Sequence, residues 1–318
     1  MTPAVAVAEV PAAPETARAS LKKFRTFARN KGALIGIFIL LVFAVAAIFA
    51  PLLTPYDPTA QDLSSAFLSP SWAHPFGTDE LGQDILARIM YGGRYTLAIG
   101  AVAVSIAAVV GVPLGLISGY FGGATDMVIQ RVTDILLSFN PFLLALVLVA
   151  VFGVGIETVT IAAGVGVIPQ FIRLARGQAL SLREEVYVEA AIAFGESSPA
   201  ILIRHVLRNA LTPLIVYATL NIGVTILVAA GLGFLGLGVQ PPTSEWGTML
   251  GTARSFIFKA SYQLTFPGLA IFLAVLRFNL VGDGLRDALD PSLREYPSHG
   301  GTRSAAAVDQ GSADHVSH

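Results

Sequence analysis

The sequence predicts an all-α integral membrane protein with six transmembrane helices and both termini in the cytoplasm. Three observations carry that prediction. Hydrophobic residues make up 54% of the 318-residue chain and charged residues only 13%, with a mean hydropathy of +0.69, whereas a soluble domain carries roughly 25% charge. Uncharged runs recur along the chain, most of them near or above the roughly 20 residues that cross a bilayer. Threaded alternately with the N-terminus inside, these runs place 16 of the 20 Lys and Arg on inner segments and leave only Arg88, Arg94, Arg254 and Lys259 outside. The positive-inside rule assigns the richer side to the cytoplasm.

Residues 1–31 form a cytoplasmic tail. Its first part is Ala, Pro and Val without a period, a composition that favours disorder, and Lys22, Lys23, Arg25, Arg29 and Lys31 close it. The uncharged run at 32–56 outlasts the apolar core of a signal peptide, about 7–15 residues, and is read as a retained first span. Residues 57–94 are polar, rich in Pro and extracytoplasmic. Asp84 and Arg88 stand at i, i+4 in the favourable acid-first order of a short helix. Asp79, Glu80 and Asp84 could make an acidic cluster, but no His or second acid is placed to complete a site, and Arg88 already offers a partner. The structural reading is preferred.

The second run, 95–125, contains Gly100, Gly111, Pro113, Gly115 and Gly119, and small residues so placed let helices approach closely in lipid. Asp126, Arg131 and Asp134 follow on a helical period, Arg131 set to meet Asp134 at i+3. A third run spans 135–156. The fourth, 158–172, is short alone, so its helix is expected to begin near Val154 with Glu157 in the interface. The longest run, 209–244, starts with Pro213 suited to a first helical turn. It ends in a Gly- and Pro-dense stretch at 231–242, which at membrane depth needs protein or a water-filled cavity to cover it. The last span covers about 264–281, with Arg277 near its inner end and able to snorkel. Residues 286–318 form a cytoplasmic tail read as disordered.

Between the fourth and fifth spans lies a cytoplasmic loop, 173–208, the most polar stretch between two strongly apolar ones. Read as a helix, its Val186, Ala190 and Phe194 fall at i, i+4 and i+8 on one side. Glu189, Ala190 and Ala193 make a small-residue surface beside them. Gly195, with Ser197, Ser198 and Pro199, ends the helix.

Several function classes are excluded. A net charge of -1 argues against a nucleic-acid partner. The absence of Cys removes disulfides and thiolate metal sites, and no P-loop motif is present for nucleotide hydrolysis. An ion-coupled transporter needs ionisable groups near the midplane, often with inverted repeats, and the spans hold almost none. The five His, at 74, 205, 299, 315 and 318, form no catalytic set for a membrane hydrolase.

The run Glu189-Ala190-Ala191, three residues, then Gly195 resembles the cytoplasmic loop of bacterial ABC importer permeases. Three further motifs, at 76–84, 234–242 and 279–287, look like the second ("C") permease subunit of the dipeptide, oligopeptide and nickel importers. Four motifs in one order make the resemblance strong, and it covers most of the chain. It implies a type I ABC importer permease fold with a core over 95–285, in the bacterial plasma membrane. It implies a homologous permease partner, two ATPase subunits that hold ATP and Mg, an extracytoplasmic binding protein, and no catalysis or cofactor on this chain. By position, Glu189, Ala190, Ala191 and Gly195 would dock on the ATPase. They would move as a rigid lever while the spans alternate access between the two sides. Two positions depart from the family: Arg208 stands where many members have Pro, and Ala229 where many have Glu. A pathway wall of Gly, Ala, Val, Thr and backbone, with Asn221, suits peptides of varied side chain. The alternative cargo is nickel or another chelated or small solute, whose transfer would favour imidazole or sulfur ligands.

Overall fold

The computed structural model describes residues 30–289; the expected tails at 1–29 and 290–318 lie outside the described residues. Asn30 accepts a hydrogen bond from the Ala33 amide and so begins α1 (Lys31–Ile48). This helix stops short of the uncharged run that contains it. The chain breaks at Phe49, and Pro51 sits in the first turn of a one-turn helix, α2 (Ala50–Leu53), because Pro has no N–H to bond back into the preceding turn.

The next helix, α3 (Ile85–Phe121), has 37 residues, about 55 Å at 1.5 Å per residue and far longer than the ~30 Å hydrocarbon core. It starts at Ile85, so residues 85–94, expected within the extracytoplasmic segment, are helical. The cause is a cap: the Asp84 carboxylate accepts from the Ala87 amide at 2.7 Å. Its other oxygen meets His74 Nδ1 at 2.9 Å. Asp84 is thereby occupied, the expected pair with Arg88 does not form, and Arg88 binds Asp79 instead.

The third uncharged run, 135–156, is not one straight helix: it holds the last turn of one helix, a break at 138–140 and a second helix. α4 (Gly123–Leu137) and α5 (Pro141–Phe152) meet at 86°, with Asn140 capping α5 through the Phe142 amide at 2.9 Å and Pro141 opening it. α6 (Ile156–Arg183) carries Glu157 in its first turn and continues past Ile172 into the loop region. Asp134 reaches across to Arg173 of α6 at 2.8 Å, so the expected contact with Arg131 is absent. Two short helices follow, α7 (Val186–Ala193) and α8 (Ser198–Ile201). A π-helical stretch, Leu202–Leu207, then winds without a break through Arg208 into α9 (Arg208–Phe234). Pro213 consequently lies in the second turn of α9. After it come α10 (Trp246–Ala253) and α11 (Tyr262–Leu289). Among the described residues five helical paths are long and apolar enough to cross a membrane, and the bent α4–α5 pair makes a sixth if it is one span.

The bundle is held by close approach rather than bulk. A methyl group at Gly111 of α3 would sit 2.6 Å from Phe171 Cβ, and one at Gly119 would sit 2.6 Å from the Arg176 carbonyl oxygen. The spacing of small residues predicted this packing in lipid, and it locks α3 against α6 as a central pillar. α1 leans on α11 in the same way, where a Cβ at Gly36 would meet the Arg277 carbonyl oxygen at 3.2 Å.

Candidate functional site

Two ends of the bundle carry its chemistry. At one end, between α6 and α9, the eight residues of α7 divide into two faces. Val188 is fully buried and Ala191 only 9% exposed, packed in one cluster with Leu116 of α3, Phe171 and Ala175 of α6, and Ile201 and Val206 beyond α7. On the other face Val186 is 78% exposed and Phe194 91%, with Glu189, Ala190 and Ala193 exposed between them. Positions 188 and 191 share a face three residues apart, opposite the stripe at 186, 190 and 194.

Gly195 ends this helix with φ +79°. The Glu196 amide donates to the Ala191 carbonyl at 3.0 Å, and the Gly195 amide to the Ile192 carbonyl at 2.9 Å, the paired bonds of a Schellman cap. Nothing lies within 4 Å of where a Cβ on Gly195 would stand. The requirement for glycine is therefore the backbone angle alone, since L residues rarely adopt it. Glu196 then ties the loop to the π-helical stretch, meeting His205 Nε2 at 2.9 Å and Arg204 at 3.3 Å. The His205 hydrogen bond is the main cause that lowers the Glu196 carboxyl below its usual range. Asn209 donates to the Tyr187 hydroxyl at 3.1 Å, fixing α7 to α9. Of the four residues expected on a docking surface, Glu189, Ala190 and Gly195 are exposed. Ala191 is not, and its place is in the packing that holds α7 to the bundle.

At the opposite end, residues 54–84 fold into a strap over the starts of α3, α10 and α11. Asp79 accepts from the Leu81 and Gln83 amides at 2.9 and 2.8 Å and pairs with Arg88, whose Nε donates to Ser244 Oγ at 3.2 Å. Phe76 stacks on Phe266 of α11 with ring centroids 4.1 Å apart, and Gln263 donates to the Thr78 carbonyl at 3.2 Å. Under the strap lies a residue the sequence reading missed. Glu245 is buried, and its carboxylate caps α10 through the Gly247 and Thr248 amides, each at 2.9 Å, while accepting from Thr96 Oγ1 at 3.1 Å. Its sequence signal, an acid just before Trp246-Gly247 at the end of an uncharged run, is weak because Glu is not among the favoured N-caps. The Trp246 indole donates to the Ile89 carbonyl at 2.9 Å, closing α10 onto α3.

The fold is thus an apolar bundle with helices long enough to cross a membrane, carrying a firmly capped short helix that exposes one face between two of them. Residues 111–295 match the family described as "Binding-protein-dependent transport system inner membrane component", and residues 22–70 match the N-terminal TM domain of oligopeptide transport permease C. The chain belongs to this family of ABC-transporter permease subunits, which are inner-membrane proteins and not themselves catalytic. It is 47% identical over 271 residues to the dipeptide transport system permease protein DppC of Alkalihalophilus pseudofirmus, covering 85% of this chain and 89% of that one. It is 44% identical over 273 residues to the glutathione transport system permease protein GsiD of Pectobacterium atrosepticum, covering 85% and 90%. An inward-facing structure of the MetNI methionine ABC transporter matches with a TM-score of 0.50 at 18% identity, over 63% of this chain and 96% of that chain. That likeness concerns the fold alone, and it is the importer permease fold the motifs implied.

Proposed function

We propose that this chain is one of two homologous permease subunits of an importer that carries di- or oligopeptides into the cell, driven by ATP hydrolysed on two partner ATPases. An extracytoplasmic binding protein delivers the peptide. ATP and Mg belong to the ATPases, and this chain supplies the pathway and the mechanical link. The observation that carries the reading is the outward face of α7: Val186, Glu189, Ala190 and Phe194 exposed on a helix whose other face is buried in the bundle. An exposed apolar stripe of this kind marks a protein-docking surface, and a helix laid into a groove is read through anchors at such spacing. Rigidity follows from the Schellman cap at one end and the buried Val188 and Ala191 along its length. A push on α7 is therefore delivered to α6 and α9 instead of being absorbed in the loop.

The Lys and Arg distribution supports an orientation with both termini and the α7 end in the cytoplasm and the strap outside. In a chain without native Cys, Ser71→Cys on intact cells should react with a membrane-impermeant thiol reagent and Arg183→Cys should not. The reverse pattern would overturn the orientation and the ATPase partner with it. The cargo is supported by the names of relatives, which are dipeptide and glutathione permeases. The complex reconstituted in vesicles with its binding protein should take up a labelled dipeptide only when ATP is supplied to the ATPase side. Nickel accumulation without peptide uptake would decide for the metal.

A further inference from the structure

Where α9 ends, the Gly-rich turn and α10 border an open cavity of about 270 Å³, whose wall includes Gly236, Gln240, Thr248, Gly251, Thr252 and Arg254. Of the lining residues Arg254 alone is charged. Its guanidinium lies over the Phe234 ring, 5.8 Å from the centroid, and Nη1 reaches the Phe234 carbonyl at 3.4 Å. Among the described residues no carboxylate pairs with it. Glu245 is buried beside Thr248 but does not line the cavity, and both its oxygens already accept bonds from Gly247, Thr248 and Thr96.

Gln240 adds the complementary function. Its amide nitrogen donates to the carbonyls of Gly236 and Gly238 at 3.2 and 3.0 Å. That leaves its side-chain oxygen as an acceptor with no donor among the described residues. Both side chains are exposed, so a guanidinium whose fork fits a carboxylate on two bonds stands at the open side of one cavity with an amide acceptor, each free to exchange water for a ligand. The terminal residue of a peptide presents the matching pair, a carboxylate and the N–H next to it. The volume lies just under the range of about 300 to 1,000 Å³ typical of ligand pockets. That admits one or two residues and leaves the rest of a longer chain outside the mouth.

We propose that this cavity receives the C-terminal carboxylate of a short peptide on its way into the pathway. Arg254 binds the carboxylate and the Gln240 oxygen accepts from the peptide N–H. The inference rests on the peptide-import reading above and deepens it, because it places the first contact of the cargo on this chain. It also assigns the charge that recognises that cargo. Apart from Arg254 the wall carries no charge, so peptides of different sequence would be held by the end they share.

The test uses the assembled importer. Thr252→Cys puts a single thiol in the cavity wall of a chain that has none, and its reaction with a negatively charged thiosulfonate reagent is followed on this chain by mass spectrometry. Dialanine should slow the reaction about tenfold, the effect of roughly 1.4 kcal/mol of occupancy-linked protection. Dialanine amide, which lacks the carboxylate, should leave the rate unchanged. Adding Arg254→Gln should abolish the protection, and Arg254→Lys, which keeps the charge but not the fork, should retain part of it. Co-purification with the ATPases checks that each variant assembles. Equal protection by dialanine and its amide, or none by either while the same complex imports dialanine, would overturn the carboxylate site and leave peptide import standing. A complex that imports no dialanine at all removes the peptide reading and this inference together.

Discussion

The two ends of the molecule solve opposite problems with opposite means. At the strap end most buried polar groups are spoken for: Asp79 by two amides and Arg88, Glu245 by two amides and a hydroxyl, the Trp246 indole by the Ile89 carbonyl, while Gln263 Oε1 is buried there without a partner among the described residues. At the α7 end the order is reversed, with apolar groups such as Phe194 and Val186 exposed and the polar ties of Glu196 lying at the surface. A buried polar network rigidifies when it is satisfied and is costly to break. An exposed apolar stripe costs little in the isolated chain and gains its stabilisation when a partner covers it. One end is largely finished within the chain, and the other, on the function proposed above, is completed by assembly.

This contrast is most sharply broken at Asp79. Asp79→Ala leaves Arg88 charged and buried, and removing one partner of a buried pair typically costs about 3–5 kcal/mol. The variant should show a much lower melting temperature in detergent and little assembled complex. Wild-type thermal stability for that variant would mean that the strap is dispensable and the contrast false.

The next effect is functional rather than structural. Gly195→Val forces a β-branched residue to φ +79°, a conformation costing roughly 1–2 kcal/mol, while clashing with nothing nearby. Transport and substrate-stimulated ATP hydrolysis should fall about tenfold or more, by the rule that 1.4 kcal/mol is one decade, with the complex still present in the membrane. Normal uptake at normal expression would remove α7 from the coupling path.

A third variant separates the two faces of α7. Ala191→Leu overfills the cluster formed with Ile201 and Val206, and overpacking of this kind costs about 1–3 kcal/mol. Hydrogen exchange should then accelerate across both α7 and the start of α9. Ala190→Leu on the exposed face should leave exchange in the isolated permease unchanged and weaken only ATPase association. Identical exchange profiles for the two would mean that the division into faces has no consequence.

The smallest change is expected at Glu196. Its lowered carboxyl pKa means that its ties to His205 and Arg204 favour the folded loop above the usual carboxylate range, and that this contribution is lost as pH falls through the depressed value. Lying at the surface, with Arg204 exposed and Glu196 and His205 half-buried, these ties are partly screened by solvent and salt. Glu196→Gln should therefore alter transport at neutral pH by less than about twofold, a limit consistent with surface ion pairs. A large loss would show that the loop depends on this pair as the strap depends on Asp79.

Sequence alone determined the membrane class, the alternation of spans and polar segments, the glycines that seat α3 on α6, and the position and end of α7. Each of these rests on hydropathy, spacing or a single backbone requirement, which act over a few residues and leave a mark in the chain itself. Tertiary structure decided the rest. Arg88 pairs with Asp79 because Asp84 is occupied as a cap and by His74, and the apolar run at 135–156 is broken at 138–140, where α4 and α5 meet at 86°. Ala191 turns inward while its neighbour Ala190 turns out, although the two are chemically identical. Glu245 is buried because Thr96, distant in sequence, arrives beside it. Local propensity cannot choose among partners that only the packed bundle brings within reach, and burial is a property of what surrounds a residue.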